Sequence, residues 1–118
     1  MTKYDLEERL IEFAVRVIEF SDSLPKNRIG LHIADQLSRA GTSPASNYGE
    51  AQAAESRNDF VHKMKICLKE LRETRVWLLI INRSRTFKSI KQIEIIIAEV
   101  NELISIFVTC IKTAENKI

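Results

Sequence analysis

The stretch Gly41-Thr42-Ser43-Pro44-Ala45-Ser46-Asn47-Tyr48-Gly49-Glu50 decides how this chain can fold, because small, polar and helix-breaking residues interrupt an otherwise helical, amphipathic pattern there. Read at helical spacing, one face of this region carries only small side chains, namely Ala34, Ser38, Gly41, Ala45, Gly49 and Ala53. A face of this kind lets a second helix approach closely. We therefore expect Gly41, Ser43 and Gly49 to be helix-packing positions.

Two polar residues, Asn47 and Glu50, lie beside the small-residue face. A buried amide or carboxylate needs hydrogen-bonding partners, and we expect Arg72 or Arg75 of a facing helix to supply them.

Pro44 should disturb the helix that contains these residues, since proline removes a hydrogen bond and clashes with the carbonyl four residues back. We favour a kink near Pro44. The alternative is a break, with Gly41 ending one helix and Ser43 capping the next.

Outside this stretch, apolar residues recur at steps of three and four in four segments, which predict four helices at about 5–21, 27–55, 56–81 and 90–114. The predicted core stripe of the first helix is Leu6, Leu10, Phe13, Val17 and Phe20. The predicted stripe of the third is Phe60, Met64, Cys67, Leu71, Thr74, Leu78 and Ile81, and that of the fourth is Ile90, Ile93, Ile97, Val100, Ile104, Phe107, Ile111 and Ala114. Ser56 with Asp59, and Ser89 with Gln92, resemble capping boxes at the last two helix starts. Residues 1–118 should form one all-α domain, an up-down-up-down antiparallel four-helix bundle.

The apolar residues exceed what a single bundle needs. The first helix carries a second set, Ile11, Val15 and Ile18, and the fourth helix is apolar around most of its circumference. The segment 76–81, which contains Trp77, must also be covered. This excess favours a homo-oligomer. The alternative is a monomeric bundle with scattered surface isoleucines.

Charge is distributed unevenly along the chain, although the formal net charge is only +2. Residues 1–22 hold three basic and six acidic groups, a net −3, whereas residues 51–85 hold eight basic and four acidic groups, a net +4. Lys65, Lys69 and Arg72 share one face of the third helix, where phosphates could bind through charge alone. The full set that we predict to contact nucleic acid is Arg57, Lys63, Lys65, Lys69, Arg72, Arg75 and Arg83. The alternative is a solvated face whose charges pair with Glu70 and Glu73.

Catalytic signatures are not evident in the sequence, so we expect no enzyme, no catalytic residue, no metal and no cofactor. Asp59-x-x-His62 is one degenerate copy of an element that a di-iron bundle needs twice. Cys67 and Cys110 fall at apolar helical positions and should be reduced core or interface thiols.

The longest apolar run is too short to span a bilayer, and the first residues do not look like a signal peptide, so we expect a cytoplasmic protein.

Several motifs carry a family resemblance. The segments 36–43 (QLSRAGTS), 47–51 (NYGEA), 56–60 (SRNDF) and 68–74 (LKELRET) resemble the four-helix-bundle proteins encoded by intervening sequences of bacterial 23S ribosomal RNA genes. The accessory variability protein of diversity-generating retroelements, which works with RNA and a reverse transcriptase, is also similar. The resemblance implies a small helical subunit that assembles into a ring of five copies and associates with structured RNA or an RNA-binding protein.

Two functions follow as hypotheses. The first is a non-enzymatic, ring-forming protein that binds RNA through the basic surface of the third helix. The second is an oligomeric scaffold or adaptor that binds a protein partner, without nucleic acid, through the apolar end near Trp77 or the small-residue face.

Overall fold

The computed structural model describes residues 2–87 and 91–118, and within them every regular element is an α-helix. The helices are α1 (Lys3–Asp22), α2 (Arg28–Gln52), α3 (Arg57–Arg83) and α4 (Lys91–Glu115). In the part of the chain that is described, none of the helices has the length and apolar character needed to cross a membrane. The four predicted helices are thus confirmed, with ends that differ from the predicted ones by one to three residues.

Side-chain caps explain where the first three helices begin. Thr2 and Asp5 form a complete capping box, since each side chain accepts a hydrogen bond from the backbone N–H of the other residue. This box lets α1 start two residues before the predicted position. Asn27 accepts from the Gly30 N–H at the start of α2. Ser56 accepts from the Asp59 N–H at 3.0 Å, which confirms the predicted cap of α3. The predicted Ser89 cap lies outside the described residues.

Neighbouring helices run in opposite directions. The Tyr48 hydroxyl, near the end of α2, donates to the carbonyl of Lys3 at the start of α1. Lys65, early in α3, pairs with Glu115 at the end of α4. Each helix packs most extensively against the helix next to it in the chain. These contacts are those of an up-down-up-down bundle.

The core lies along the bundle axis and follows the predicted stripes closely. All five predicted core residues of α1 are buried, as are six of the seven predicted for α3, namely Met64, Cys67, Leu71, Thr74, Leu78 and Ile81. The seventh, Phe60, is only half-buried. In α4 the prediction is confirmed at five positions, since Ile93, Val100, Phe107, Ile111 and Ala114 are buried. Ile97 and Ile104 are only half-buried, and Ile96 and Leu103 are buried in their place. The predicted Ile90 lies outside the described residues. The hydroxyl of buried Thr74 donates to the Glu70 carbonyl, so the polar group is satisfied within the helix.

Helix α2 passes through Pro44 without interruption, so the alternative of a break at Gly41 to Ser43 is wrong. Pro44 is buried, and its carbonyl accepts a hydrogen bond from the Cys67 thiol at 3.6 Å. The kink near Pro44 stays a prediction.

Helices α1 and α4 pack less extensively than the other adjacent pairs. An ion-pair cluster crosses this seam, where the Arg9 guanidinium lies 2.7 Å from Glu99 Oε1 and 3.4 Å from Glu102 Oε1. The hydrogen bond to Glu99 and the charges of both glutamates raise the pKa of Arg9. Arg9 therefore stays charged and holds the seam at its middle.

Candidate nucleic-acid interface

The side of α3 opposite the core presents a row of exposed residues. Because buried residues of α3 recur at steps of three and four, the residues that face away from the core recur in the same way. This row, which we call the outer ridge of α3, consists of Lys65, Lys69, Arg72, Val76, Ile80 and Arg83, all of which are exposed. Lys65, Lys69 and Arg72 thus lie side by side, as predicted, at axial steps of about 6 and 4.5 Å.

Two carboxylates of α3 itself, Glu70 and Glu73, are engaged by another helix. Arg39 of α2 pairs with Glu70, at 3.3 Å between Nη1 and Oε2, and also with Glu73. The Trp77 indole N–H donates to Glu73 Oε2 at 3.2 Å. Glu70 and Glu73 therefore face α2 and do not pair with the bases of the outer ridge, so this part of the solvated-face alternative is wrong.

The central bases of the ridge consequently carry little compensating charge. Within residues 2–87 and 91–118, neither Lys69 nor Arg72 forms an ion pair. Lys65 pairs with Glu115 at 3.0 Å, but both side chains are about half exposed, so water competes strongly with this contact. The middle of α3 thus presents three adjacent positive charges to solvent.

The other four predicted bases do not extend this patch. Lys63 lies on the flank facing α2 and pairs with Glu50 at 3.6 Å. Arg75 lies on the opposite flank, where its Nε donates to Asn101 Oδ1 of α4 at 2.8 Å. Arg57 and Arg83 are the first and last residues of α3, about 39 Å apart along the helix. The seven residues are therefore distributed over the whole helix, and only three form a compact cluster.

The polar residues near Pro44 have partners other than the predicted ones. Glu50 pairs with Lys63, and the Asn47 amide donates to the Ser43 carbonyl at 3.0 Å. The Ser43 hydroxyl in turn donates to the Arg39 carbonyl. The prediction that Arg72 or Arg75 satisfies Asn47 and Glu50 is wrong, since Arg75 bonds to Asn101 and both bases face away from α2.

The small-residue face is close-packed at only one of its glycines. A Cβ atom on Gly41 would lie 2.5 Å from Cγ1 of Val17, so α1 approaches α2 as predicted at this position. Gly49 is exposed, and a Cβ atom there would have no neighbour within 4 Å. The expectation of close packing at Gly49 within the chain is wrong, because the row of small residues turns outward toward the end of α2. A role for Gly49 in assembly stays a prediction.

Both thiols are poor nucleophiles in this fold. Burial raises the pKa of Cys67 to about 12 and also raises the pKa of Cys110. Cys67 is fully buried, which confirms its prediction as a core thiol, while Cys110 is half-buried.

One feature of this region was missed from sequence, namely the cluster of Arg39, Glu70, Glu73 and Trp77, with His32 in edge-to-face contact with the Trp77 ring at 6.0 Å. Arg39 and Glu70 lie at nearly equal distances in sequence from the turn between α2 and α3. If α2 and α3 are aligned as antiparallel helices about that turn, the sequence alone predicts that Arg39 and Glu70 lie opposite each other.

Comparison with known proteins identifies a matching family model and a similar solved structure. The family model described as 23S rRNA-intervening sequence protein matches residues 2–109. A solved structure, a protein of unknown function from the S23 ribosomal protein family of Bacteroides thetaiotaomicron, is 32% identical in sequence and superimposes with a TM-score of 0.85. That similarity covers 95% of this chain and 99% of the other. No curated protein matches the chain.

Proposed function

Because this chain belongs to the 23S rRNA-intervening sequence protein family, we propose that it is a non-enzymatic, ring-forming protein that binds structured RNA through the outer ridge of α3. The observation that carries the proposal is the pairing of Arg39 with Glu70 and Glu73. Of these two carboxylates, Glu73 lies four residues after Lys69, a spacing at which it could pair with that base along α3. Because both glutamates pair with Arg39 instead, the outer ridge keeps a positive strip of Lys65, Lys69 and Arg72, in which only Lys65 is ion-paired within the described residues.

Such a strip suits phosphate groups and not base edges. Lysine and arginine on an exposed helix bind phosphates through charge and the release of counterions, without reading sequence. Three contacts from one chain give only weak binding. Repetition of the strip around a ring, for which the family resemblance implies five copies, would add contacts in the same complex and raise the apparent affinity.

Assembly is supported by the exposed apolar residues. Ile11, Val15 and Ile18 of α1 and Val76 and Ile80 of α3 all remain exposed in the single chain. The sequence predicted that these residues need cover, and the chain itself does not provide it. We propose that neighbouring copies do.

The alternative function, a scaffold or adaptor for a protein partner, is favoured by one feature of the same ridge. Val76 and Ile80 form a small exposed apolar patch beside the half-buried Trp77. A protein partner bound there would contact apolar surface, and its affinity would depend little on Lys65 and Lys69. Reversing the charges of the outer-ridge bases should therefore abolish RNA binding but leave the binding of a protein partner largely intact.

The test is a fluorescence-anisotropy titration of purified protein against labelled, structured ribosomal RNA fragments at 50 and 200 mM salt. With three phosphate contacts per chain, the affinity of a single site should fall about 40-fold between these two conditions. The variant Lys65→Glu, Lys69→Glu, Arg72→Glu should not bind at either salt concentration. A matched variant with reversals elsewhere, Arg16→Glu, Lys112→Glu, Lys117→Glu, should retain most of the affinity.

Two results would overturn the RNA proposal. One is the absence of binding by the wild-type protein at 50 mM salt. The other is an equal loss of affinity in both variants, because that would report net charge and not a site on α3. In either case the adaptor function becomes the better account.

A further inference from the structure

Helix α1 carries an exposed apolar strip on its outward side. Ile11, Val15 and Ile18 are 41%, 41% and 50% exposed and lie at steps of four and three, so they form one row. Exposed carboxylates border this row along its length, namely Glu8, Glu12, Glu19 and Asp22, of which Asp22 pairs with Lys26 at 3.4 Å.

The bases in the middle of α1 point elsewhere. Arg9 reaches across to Glu99 of α4, and Arg16 lines a cleft together with Glu19 of its own helix and Gln92 and Ile96 of α4. The outward face of α1 is therefore both apolar and acidic. We call it the acidic strip.

Helix α3 carries a second exposed apolar strip, with the opposite charge. Val76 and Ile80 are 50% and 42% exposed and are adjacent on the outer ridge. Arg72 and Arg83 lie one turn before and one turn after them on the same ridge. Because Glu73 is held by Arg39 and Trp77, the charge at the ends of this strip is positive. We call it the basic strip.

The two strips lie on opposite sides of the molecule. Helix α1 packs against α2 and α4, helix α3 packs against the same two helices, and α1 and α3 do not pack against each other. They are thus diagonal in the bundle, and their outward faces point in opposite directions. One copy cannot bring its own two strips together.

We propose that the acidic strip of one copy docks on the basic strip of the next copy, as the repeating contact of the assembly. The apolar rows supply matching uncharged centres, and the carboxylates around one meet the guanidinium groups around the other. Since each copy contributes two different surfaces, the contact is heterologous and propagates head to tail, closing into a ring when the rotation per copy permits. The inference rests on the assembly part of the proposed function and is independent of RNA binding.

The contact also divides the outer ridge of α3 between two tasks. Arg72, Val76, Ile80 and Arg83 lie in the interface, whereas Lys65 and Lys69, two to three turns before Val76, stay accessible to phosphates. The assembled protein would thus keep two of the three proposed RNA-binding residues, Lys65 and Lys69, exposed on every copy.

A mixing experiment tests this directionality. One variant has a polar acidic strip, Val15→Gln and Ile18→Gln, and a second has a polar basic strip, Val76→Gln and Ile80→Gln. Glutamine favours the helix and these sites are exposed, so both variants should fold, as circular dichroism can verify. A control variant, Ile95→Gln and Val108→Gln, removes exposed apolar residues from α4. Mass is measured by light scattering after size exclusion.

The wild type and the control should show a multiple of the 13.6 kDa chain mass, and each strip variant alone should show the mass of one chain. An equimolar mixture of the two strip variants should show twice the chain mass and no more, because it can form one intact contact. A wild type with the mass of one chain, a strip variant that keeps the wild-type mass, or a mixture that stays monomeric would each overturn the proposal.

The outcome is separable from that of the RNA proposal. Lys65→Glu with Lys69→Glu should abolish RNA binding and leave the wild-type mass unchanged. If RNA binding fails and the mixing result holds, the head-to-tail contact stands without it.

Discussion

Alanine at Gly41 and at Gly49 should change the stability of this protein in opposite directions. Both glycines lie inside α2, so alanine gains about 1 kcal/mol of helix propensity at either position. At Gly41 the new Cβ atom would lie 2.5, 2.9 and 3.0 Å from Cγ1, Cγ2 and Cβ of Val17. Val17 is fully buried, and its β-branched side chain has little rotameric freedom to move aside. Overpacking of this kind costs about 1–3 kcal/mol.

The net expectation is that Gly41→Ala lowers the free energy of unfolding by about 1 kcal/mol. At Gly49 the Cβ atom would meet nothing within 4 Å, so Gly49→Ala should raise it by about 0.5–1 kcal/mol. For a chain of this length, 1 kcal/mol corresponds to roughly 4 °C in Tm. Urea denaturation followed by circular dichroism measures both values.

A double-mutant cycle identifies the cause. If Val17 is the obstacle, the variant Gly41→Ala, Val17→Ala should be more stable than the sum of the two single changes by about 0.5 kcal/mol or more. Equal effects of alanine at the two glycines, or strict additivity with Val17→Ala, would refute the close approach of α1 and α2 at Gly41.

Two further predictions concern the contacts beneath the proposed RNA site. Arg39→Met should destabilise the fold by about 1 kcal/mol, since Glu70 and Glu73 would lose their partner, and Glu70→Gln added to it should recover part of the loss in urea denaturation. Full stability in Arg39→Met would show that the cluster is unimportant for the fold. The Cys67 thiol, with a pKa raised to about 12, should not react with Ellman's reagent at pH 8 in the native protein, whereas half-buried Cys110 should react faster. Because the native Cys67 thiol stays protonated, stability should fall as pH rises above the thiol's unfolded value near 9. Equal reaction rates of the two thiols in the native state would contradict this burial.

The sequence predicted the helical core well because hydrophobic periodicity reports burial directly. The row from Leu6 to Phe20 and the row from Met64 to Ile81 are buried as expected. The face of α4 was harder to predict, because isoleucines occur on several of its sides and periodicity does not then select one. Burial of Ile96 in place of Ile97 is set by contacts with the other helices.

The surroundings of the site depended on pairings between helices that periodicity does not report. A small-residue spacing placed Gly41 and Gly49 on one face, but the close approach of α1 occurs only at Gly41. Likewise, Glu70 and Glu73 could pair along α3 or across to α2, and only the three-dimensional structure shows that Arg39 takes both. The charges of the ridge were predictable, while their freedom from neutralising partners was not.

The measurement that most directly tests RNA binding by the outer ridge is the slope of log affinity against log salt for single neutralising variants. Lys69→Gln should reduce the steepness of this slope by roughly one and weaken binding to different RNA sequences equally, because one phosphate contact is lost. Lys112→Gln on α4 should leave the slope of the wild type unchanged. An unchanged slope in Lys69→Gln, or an equal reduction in both variants, would contradict the assignment of the binding site to α3.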